Sequence, residues 1–241
     1  MIQNLKWIYR AWRYRLRLER QEIAWLLCNL QAGQTAVDIG AHKGAYTWWM
    51  ANRVTPAGRV FAFEPQPDLA NQLRTLVSSR GLEFVKVEQM GVSRFETEMQ
   101  LRVPARGNSP GASFENTRDA LGGQPVSVHV TSLDQYFVPL VQPIHLIKCD
   151  TEGHELQVFR GGERILRTHR PLLLFECEAR HRGAGSTGEV FNYLAELGYS
   201  GSFFCPSGIR PISEFDEASH QSSPGSTGYV NNFVFIHESA S

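Results

Sequence analysis

Val37-Asp38-Ile39-Gly40-Ala41-His42-Lys43-Gly44 is a short apolar strand running into a glycine loop, and a helical pattern follows from Gly44 to about Val54. Gly40 can adopt backbone conformations closed to other residues, which lets a ligand approach the chain closely. The free N–H groups at the start of the following helix suit an anionic group such as a carboxylate. Asp38 is placed to receive an ammonium group, directly or through water. A dinucleotide turn would need G-x-G-x-x-G, and here His42 stands where the second glycine belongs. A pyrophosphate needs the backbone at that point, so NAD is disfavoured.

Glu64, in Phe61-Ala62-Phe63-Glu64-Pro65, ends the next strand about two dozen residues beyond the loop. A carboxylate there can accept both ribose hydroxyls of a nucleoside. Gln89-Met90-Gly91-Val92 follows a third strand, 84–87, and is placed to touch an adenine ring. Met90 fits plain core packing equally well.

A fourth strand, 144–149, leads into Ile147-Lys148-Cys149-Asp150-Thr151-Glu152-Gly153-His154-Glu155. So dense a run of polar groups does not read as core. It should face the same crevice as the glycine loop, since ligands in such sheets bind beyond the carboxyl ends of the strands. Asp150 is placed to meet an amino acid end of a ligand. His154 falls in the first turn of a helix, where the dipole disfavours an imidazolium and keeps the ring able to accept a proton. Glu152 can orient His154, act as the base itself, or ligate a metal. Glu176, ending the strand 171–177, borders the crevice as a third acid.

Strand and helix patterns alternate through the chain, which predicts an α/β fold with a doubly wound, mostly parallel sheet. Further strands are expected over 98–103, 126–130, 202–204 and 232–237, and helices over 67–79, 153–168 and 188–197. Residues 206–228, rich in Ser, Gly and Pro, read as a long exposed loop. Residues 104–124, with Ser113, form another loop, placed to cover an acceptor. Trp48 and Trp49 could stack on a sugar, but core packing is the favoured reading.

Residues 4–30 follow a single helical period, with Leu5, Tyr9, Trp12, Leu16, Ile23, Leu27 and Leu30 recurring at its spacing. Arg10, Arg13, Arg17 and Arg20 follow on a neighbouring face. This segment reads either as a cap helix with solvated arginines or as a surface for anionic lipid or an anionic acceptor. The chain therefore divides into a basic amphipathic helix, 1–33, and one α/β domain, 34–241.

Composition sets bounds. The 241 residues are 42% hydrophobic and 20% charged, enough for a packed core. Lys+Arg and Asp+Glu both number 24, so nothing draws the whole chain toward nucleic acid. Cys28, Cys149, Cys177 and Cys205 form no CxxC pair, which argues against zinc and for reduced thiols in a cytoplasmic protein. No stretch is long and apolar enough to span a membrane, and no signal peptide is evident.

Together these segments resemble the FkbM family of S-adenosylmethionine (SAM)-dependent methyltransferases. The matching pieces are Asp-Ile-Gly-Ala-His-x-Gly at 38–44, Phe-Glu-Pro at 63–65, Ser-Leu-Asp at 132–134, Ile-Lys-x-Asp-x-Glu-Gly-His-Glu at 147–155 and Pro-Leu-Leu-Leu-Phe-Glu at 171–176. Thr151 and Cys149 stand where the family usually has aliphatic residues. The resemblance implies a class I methyltransferase (Rossmann-like) sheet of seven strands with the last antiparallel. It implies SAM bound by Asp38, Gly40, His42, Gly44, Glu64, Met90, Gly91 and Asp150; no residue is assigned to a metal, and the sequence is silent on whether a divalent metal takes part. It also implies O-methylation of a small-molecule or glycan acceptor of sugar or secondary-metabolite type. An alcohol oxygen needs a base; His154 is the first candidate and Glu152 the second. The competing readings are a nucleotide-dependent oxidoreductase and a non-catalytic binding or scaffold protein that kept the fold.

Overall fold

The computed structural model describes residues 2–103, 112–115, 124–138, 142–181 and 185–240. Most of the predicted 104–124 loop lies outside the described residues; 112–115, with Ser113, lies within them. The strands are β1 (Thr35–Ile39), β2 (Arg59–Phe63), β3 (Val85–Glu88), β4 (Gly91–Val92), β5 (Thr97–Val103), β6 (Gln124–Thr131), β7 (Leu146–Cys149), β8 (Leu172–Glu176), β9 (Tyr199–Cys205), β10 (Gly208–Pro211) and β11 (Asn232–His237). The helices are α1 (Ile2–Arg13), α2 (Arg20–Asn29), α3 (Ala45–Val54), α4 (Pro67–Ser79), α5 (Leu133–Phe137), α6 (Glu155–Arg160), α7 (Glu163–Thr168), α8 (Thr187–Glu196) and α9 (Glu217–His220).

An eight-stranded sheet in the order β10-β9-β11-β8-β7-β1-β2-β3 forms the centre, and β4, β6 and β5 form a second, three-stranded sheet. Strands β3, β2, β1, β7 and β8 run parallel, and β11 is antiparallel to both its neighbours. With β9, these are the expected seven strands. The eighth, β10, pairs antiparallel with β9 inside the stretch expected to be loop. Its Pro211 cannot donate to a ladder, which suits an edge strand.

Alternate residues of the central strands feed two apolar layers. Val37, Ile39, Phe61, Phe63, Ile147 and Phe175 pack on one side. Ala36, Val60, Ala62, Leu146 and Leu174 pack on the other. Burial on both faces is what near-continuous apolar strands require. The register pairs Ile39 with Phe63 and with Cys149, and Cys149 with Phe175. The next residues, Gly40, Glu64, Asp150 and Glu176, therefore emerge along one edge of the sheet.

The predicted single N-terminal helix is broken. A π-helical turn, Tyr14–Leu18, separates α1 from α2, and Glu19 leaves helical geometry at φ −129°, ψ 56°. The break turns the Glu19 carboxylate inward to the hydroxyl of Tyr46. Trp7 is fully buried and donates from Nε1 to the Gly44 carbonyl at 2.7 Å. Trp49 Nε1 donates to the Ala11 carbonyl at 2.9 Å. These contacts fasten α1 across the glycine loop.

The predicted 153–168 helix is likewise two helices, interrupted at Gly161–Gly162. A Cβ on Gly161 would lie 2.1 Å from the Ser93 carbonyl, and the Gly161 carbonyl accepts from Asp134 N–H at 2.9 Å. Neighbouring chain occupies the space a continuous helix would need. The Ser-Leu-Asp motif serves this junction. Ser132 caps α5 by accepting from Gln135 N–H at 3.1 Å. Asp134 reaches across to accept from the N–H groups of Arg164 and Ile165, each at 2.9 Å, and so caps α7.

Candidate active site

A cavity of about 320 Å³ opens at the carboxyl edge of the central sheet, within the size range of small-molecule sites. Gly40, His42, Glu64, Met90, Gly91, Asp150 and Glu152 all line it. Glu64 and Asp150 thus share one wall system, as a bridging nucleoside ligand demands.

Gly40 sits at φ 73°, and a Cβ there would lie 1.9 Å from the Asp150 carbonyl oxygen. Only glycine lets the two strand ends abut. His42 has φ 49°, and its backbone N–H donates to Glu64 Oε2 at 2.7 Å. Gln66 N–H donates to Glu64 Oε1 at 2.9 Å. Glu64 is only 2% exposed, and burial pushes its pKa up to about 7 against the two backbone bonds that favour the charge. Each carboxylate oxygen retains a further acceptor site, so the pair of oxygens fits a vicinal diol.

Two predicted residues stand behind this wall. Asp38 is wholly buried; its Oδ2 accepts from Thr47 Oγ1 at 2.6 Å. Its Oδ1 lacks a hydrogen-bond partner among the described residues and faces Lys148 Nζ at 3.8 Å. Lys148 also reaches Asp150 Oδ2 at 3.3 Å. Burial opposes its charge, but Asp150, Asp38 and Glu19 together raise its pKa. Asp38 therefore fixes a buried ammonium that in turn holds Asp150. Gly44, at φ 73°, begins α3, where a Cβ would lie 2.4 Å from Leu73 Cδ1.

Tyr14 and Glu19, from the N-terminal segment, also line the cavity. Burial pushes the Glu19 pKa up to about 7. A smaller cavity of about 40 Å³ adjoins the glycine loop and is walled by Arg10, Tyr14 and Glu19 together with Lys43 and Asp150. The sequence reading gave Arg10, Tyr14 and Glu19 no place at the cofactor end of the site. The signal available was the lone Glu19 among the N-terminal cations.

On the acidic side, Glu152 Oε2 pairs with His181 Nδ1 at 2.9 Å. Burial works against a charge on His181, but the bond to Glu152 prevails and raises its pKa. Burial, and then the charge of Asp150, push Glu176 well above the usual carboxylate range. Burial also disfavours charge on Glu178, yet hydrogen bonds from Arg180, Glu176 and Tyr229 hold its pKa down at about 2. Arg180 Nη2 donates to Glu178 Oε1 at 3.1 Å. Glu176, Glu178 and Arg180 all line the cavity; His181 and Arg180 had no role in the sequence reading. Among the described residues no group of three or more His, Cys, Asp or Glu is arranged to hold a metal.

His154 is 3% exposed and does not line the cavity. Its Nε2 meets Ser93 Oγ at 2.8 Å and its Nδ1 meets Glu115 Oε1 at 2.8 Å. Its ring also lies 5.2 Å from that of Phe114. Ser113 Oγ donates to the Glu152 carbonyl at 2.6 Å, and its backbone bridges to Arg102 on β5. Segment 112–115 is thereby pinned over the site, and Ala112 and Phe114 form part of its wall. Trp48 and Trp49 do not line this cavity; they pack edge-on against Trp7 and Trp12.

A family model described as the methyltransferase FkbM domain matches residues 38–200. A protein named Methyltransferase 1 from Beauveria bassiana is 26% identical over 142 residues, covering 52% of this chain and 57% of that protein. A solved methyltransferase FkbM from Methylobacillus flagellatus aligns with a TM-score of 0.53 and 17% identity over 97% of this chain and 55% of that one. A SAM-dependent methyltransferase from Aquifex aeolicus aligns with a TM-score of 0.50 and 17% identity over 92% of each. The chain thus spans little more than half of the first two relatives. The structural likenesses establish the fold, that of the class I SAM-dependent methyltransferases.

Proposed function

This chain belongs to the methyltransferase FkbM family, whose cofactor is SAM, and on that premise we propose that it transfers a methyl group to a hydroxyl of a sugar, glycan or secondary-metabolite acceptor. The observation that carries this reading is the placing of Glu64 and Asp150 on one cavity, joined through the abutment of Gly40 on Asp150. Bound SAM supplies an electrophilic methyl group on a sulfonium. Glu64 accepts the ribose hydroxyls, and Met90 and Gly91 border the adenine. Asp150, steadied by Lys148, receives the ammonium of the amino acid end. Arg10 offers the cation for its carboxylate beside the glycine loop.

The choice of oxygen rests on the acids across the cavity. Glu152 lines it and is oriented by His181, so Glu152 takes the proton of the acceptor hydroxyl. His154, with both ring nitrogens engaged, holds the 112–115 segment closed and acts as a positioning residue. Apolar Phe114, Leu101 and Val92 help exclude water, and alignment of acceptor and methyl contributes several kcal/mol, about 7–11 at the limit. The described cysteines are free thiols, which supports a cytoplasmic setting as part of the same proposal. No described helix is long and apolar enough to cross a membrane.

The test is methyl transfer from isotope-labelled SAM into fractionated glycans and metabolites, with the product located by mass spectrometry. Label on an oxygen supports the proposal. Label on carbon alone, or bound SAM with no transfer to any fraction, overturns it.

A further inference from the structure

We propose that the outer face of α1 and the turn after it is a docking surface for an anionic lipid membrane. The inner face of this segment is committed to the protein through Trp7, Ala11 and Tyr14. The outer face is not. Leu5 is 61% exposed, Tyr9 69% and Leu16 62%. Their spacing, continued by the partly exposed Trp12, puts them in one ridge along the helix. Soluble proteins scatter such residues singly, and a contiguous ridge marks an interaction surface.

The charge pattern selects the partner. Lys6 and Arg13 on α1 and Arg17 on the turn after it are exposed beside the ridge. Between residues 5 and 20 the only acid is Glu19, which turns inward to Tyr46. The outer face thus offers an apolar strip and a cationic flank with no acid among them. A second copy of the chain docked on this face would bring cations against cations. A membrane interface supplies what the face lacks: an apolar layer to receive Leu5, Tyr9 and Leu16, and anionic headgroups for the flank. The helix lies in the plane of such an interface, its apolar ridge toward the acyl layer.

The full chain is tested by flotation with vesicles of phosphatidylcholine mixed with phosphatidylglycerol, and with phosphatidylcholine alone. Two variants accompany it: Leu5→Ser/Tyr9→Ser/Leu16→Ser, and Arg13→Glu/Arg17→Glu. All five side chains are exposed, so both should melt like the parent. The parent should float with the mixed vesicles, more weakly with the neutral ones and less at high salt. Each variant should lose roughly tenfold or more in partitioning. A parent that stays with the soluble fraction overturns the proposal. So does an apolar variant that floats like the parent. So does sedimentation showing a dimer that the apolar variant dissociates, because the occupant would then be a second copy.

Discussion

Oε2 of Glu152 and Nδ1 of His181 stand 2.9 Å apart, and the backbones beneath them are locked together: a Cβ on Gly153 would lie 2.2 Å from the His181 carbonyl. The base assignment follows from this pairing. Glu152→Gln should lower kcat by about 10²–10⁴-fold while leaving the dissociation constant for SAM within about twofold. His154→Asn should cost kcat less and raise KM for the acceptor, since it loosens the 112–115 wall. Steady-state kinetics and calorimetry on both variants decide the matter. A greater loss of kcat in His154→Asn would return the base role to His154.

Gly40→Ala should abolish SAM binding and lower the melting temperature. The substitution combines a left-handed backbone, φ 73°, with a clash against backbone rather than a pliable side chain. Strain of this kind costs about 1–3 kcal/mol before the clash is counted. An unchanged denaturation midpoint would refute the abutment.

Glu64 should give the apoprotein a pH signature. Its pKa is raised to about 7 in the fold, against about 4.3 when unfolded. The unfolded chain therefore loses this proton first. The stabilisation is complete below about pH 4 and is lost as pH rises through about 7. Glu64→Gln should flatten that part of the stability profile, leaving the matching contribution of Glu19 in place. SAM affinity should rise over the same interval, because the ionised carboxylate accepts two hydroxyl donors. The variant should bind SAM about 10–100-fold more weakly, consistent with the loss of charge-assisted bonds. Calorimetric titrations at several pH values check both halves.

Trp7→Ala should destabilise the protein by about 3–5 kcal/mol, the usual cost of removing a fully buried tryptophan. It should also weaken SAM binding, because the same ring donates to the Gly44 carbonyl at the head of α3. Trp7→Phe keeps most of the volume and removes the donor. It should recover most of the stability and less of the binding, as read by chemical denaturation and by calorimetry.

The parallel core was legible because β1, β7 and β8 are buried along nearly their whole length: β8 reads as an apolar run up to Glu176, and Asp38 and Lys148 are the charged interruptions of β1 and β7. Gly40 and Glu64 were legible because strand ends in such a sheet face one crevice. The break at Glu19 was not, since the helical period runs straight through it, and the Tyr46 hydroxyl that meets Glu19 there is distant in sequence. The surroundings of His154 were equally hidden. Ser93 and Glu115 lie 61 and 39 positions away, and only the folded chain brings them to its ring. The double glycine at 161–162 was a visible signal that helical periodicity overrode. β10, which pairs with the expected β9, was lost in a Ser/Gly/Pro-rich stretch where composition suggests loop.

Asp134 caps a helix that begins some thirty residues later. At six residues, α7 is far too short to persist in isolation. Its first amides gain their acceptors only once α5 has arrived beside it, with β7 laid down between the two in the chain. That pairing predicts that α7 forms late in the order of assembly. Its amide protons should exchange with solvent no more slowly than those of α5, the two opening together as one cooperative unit.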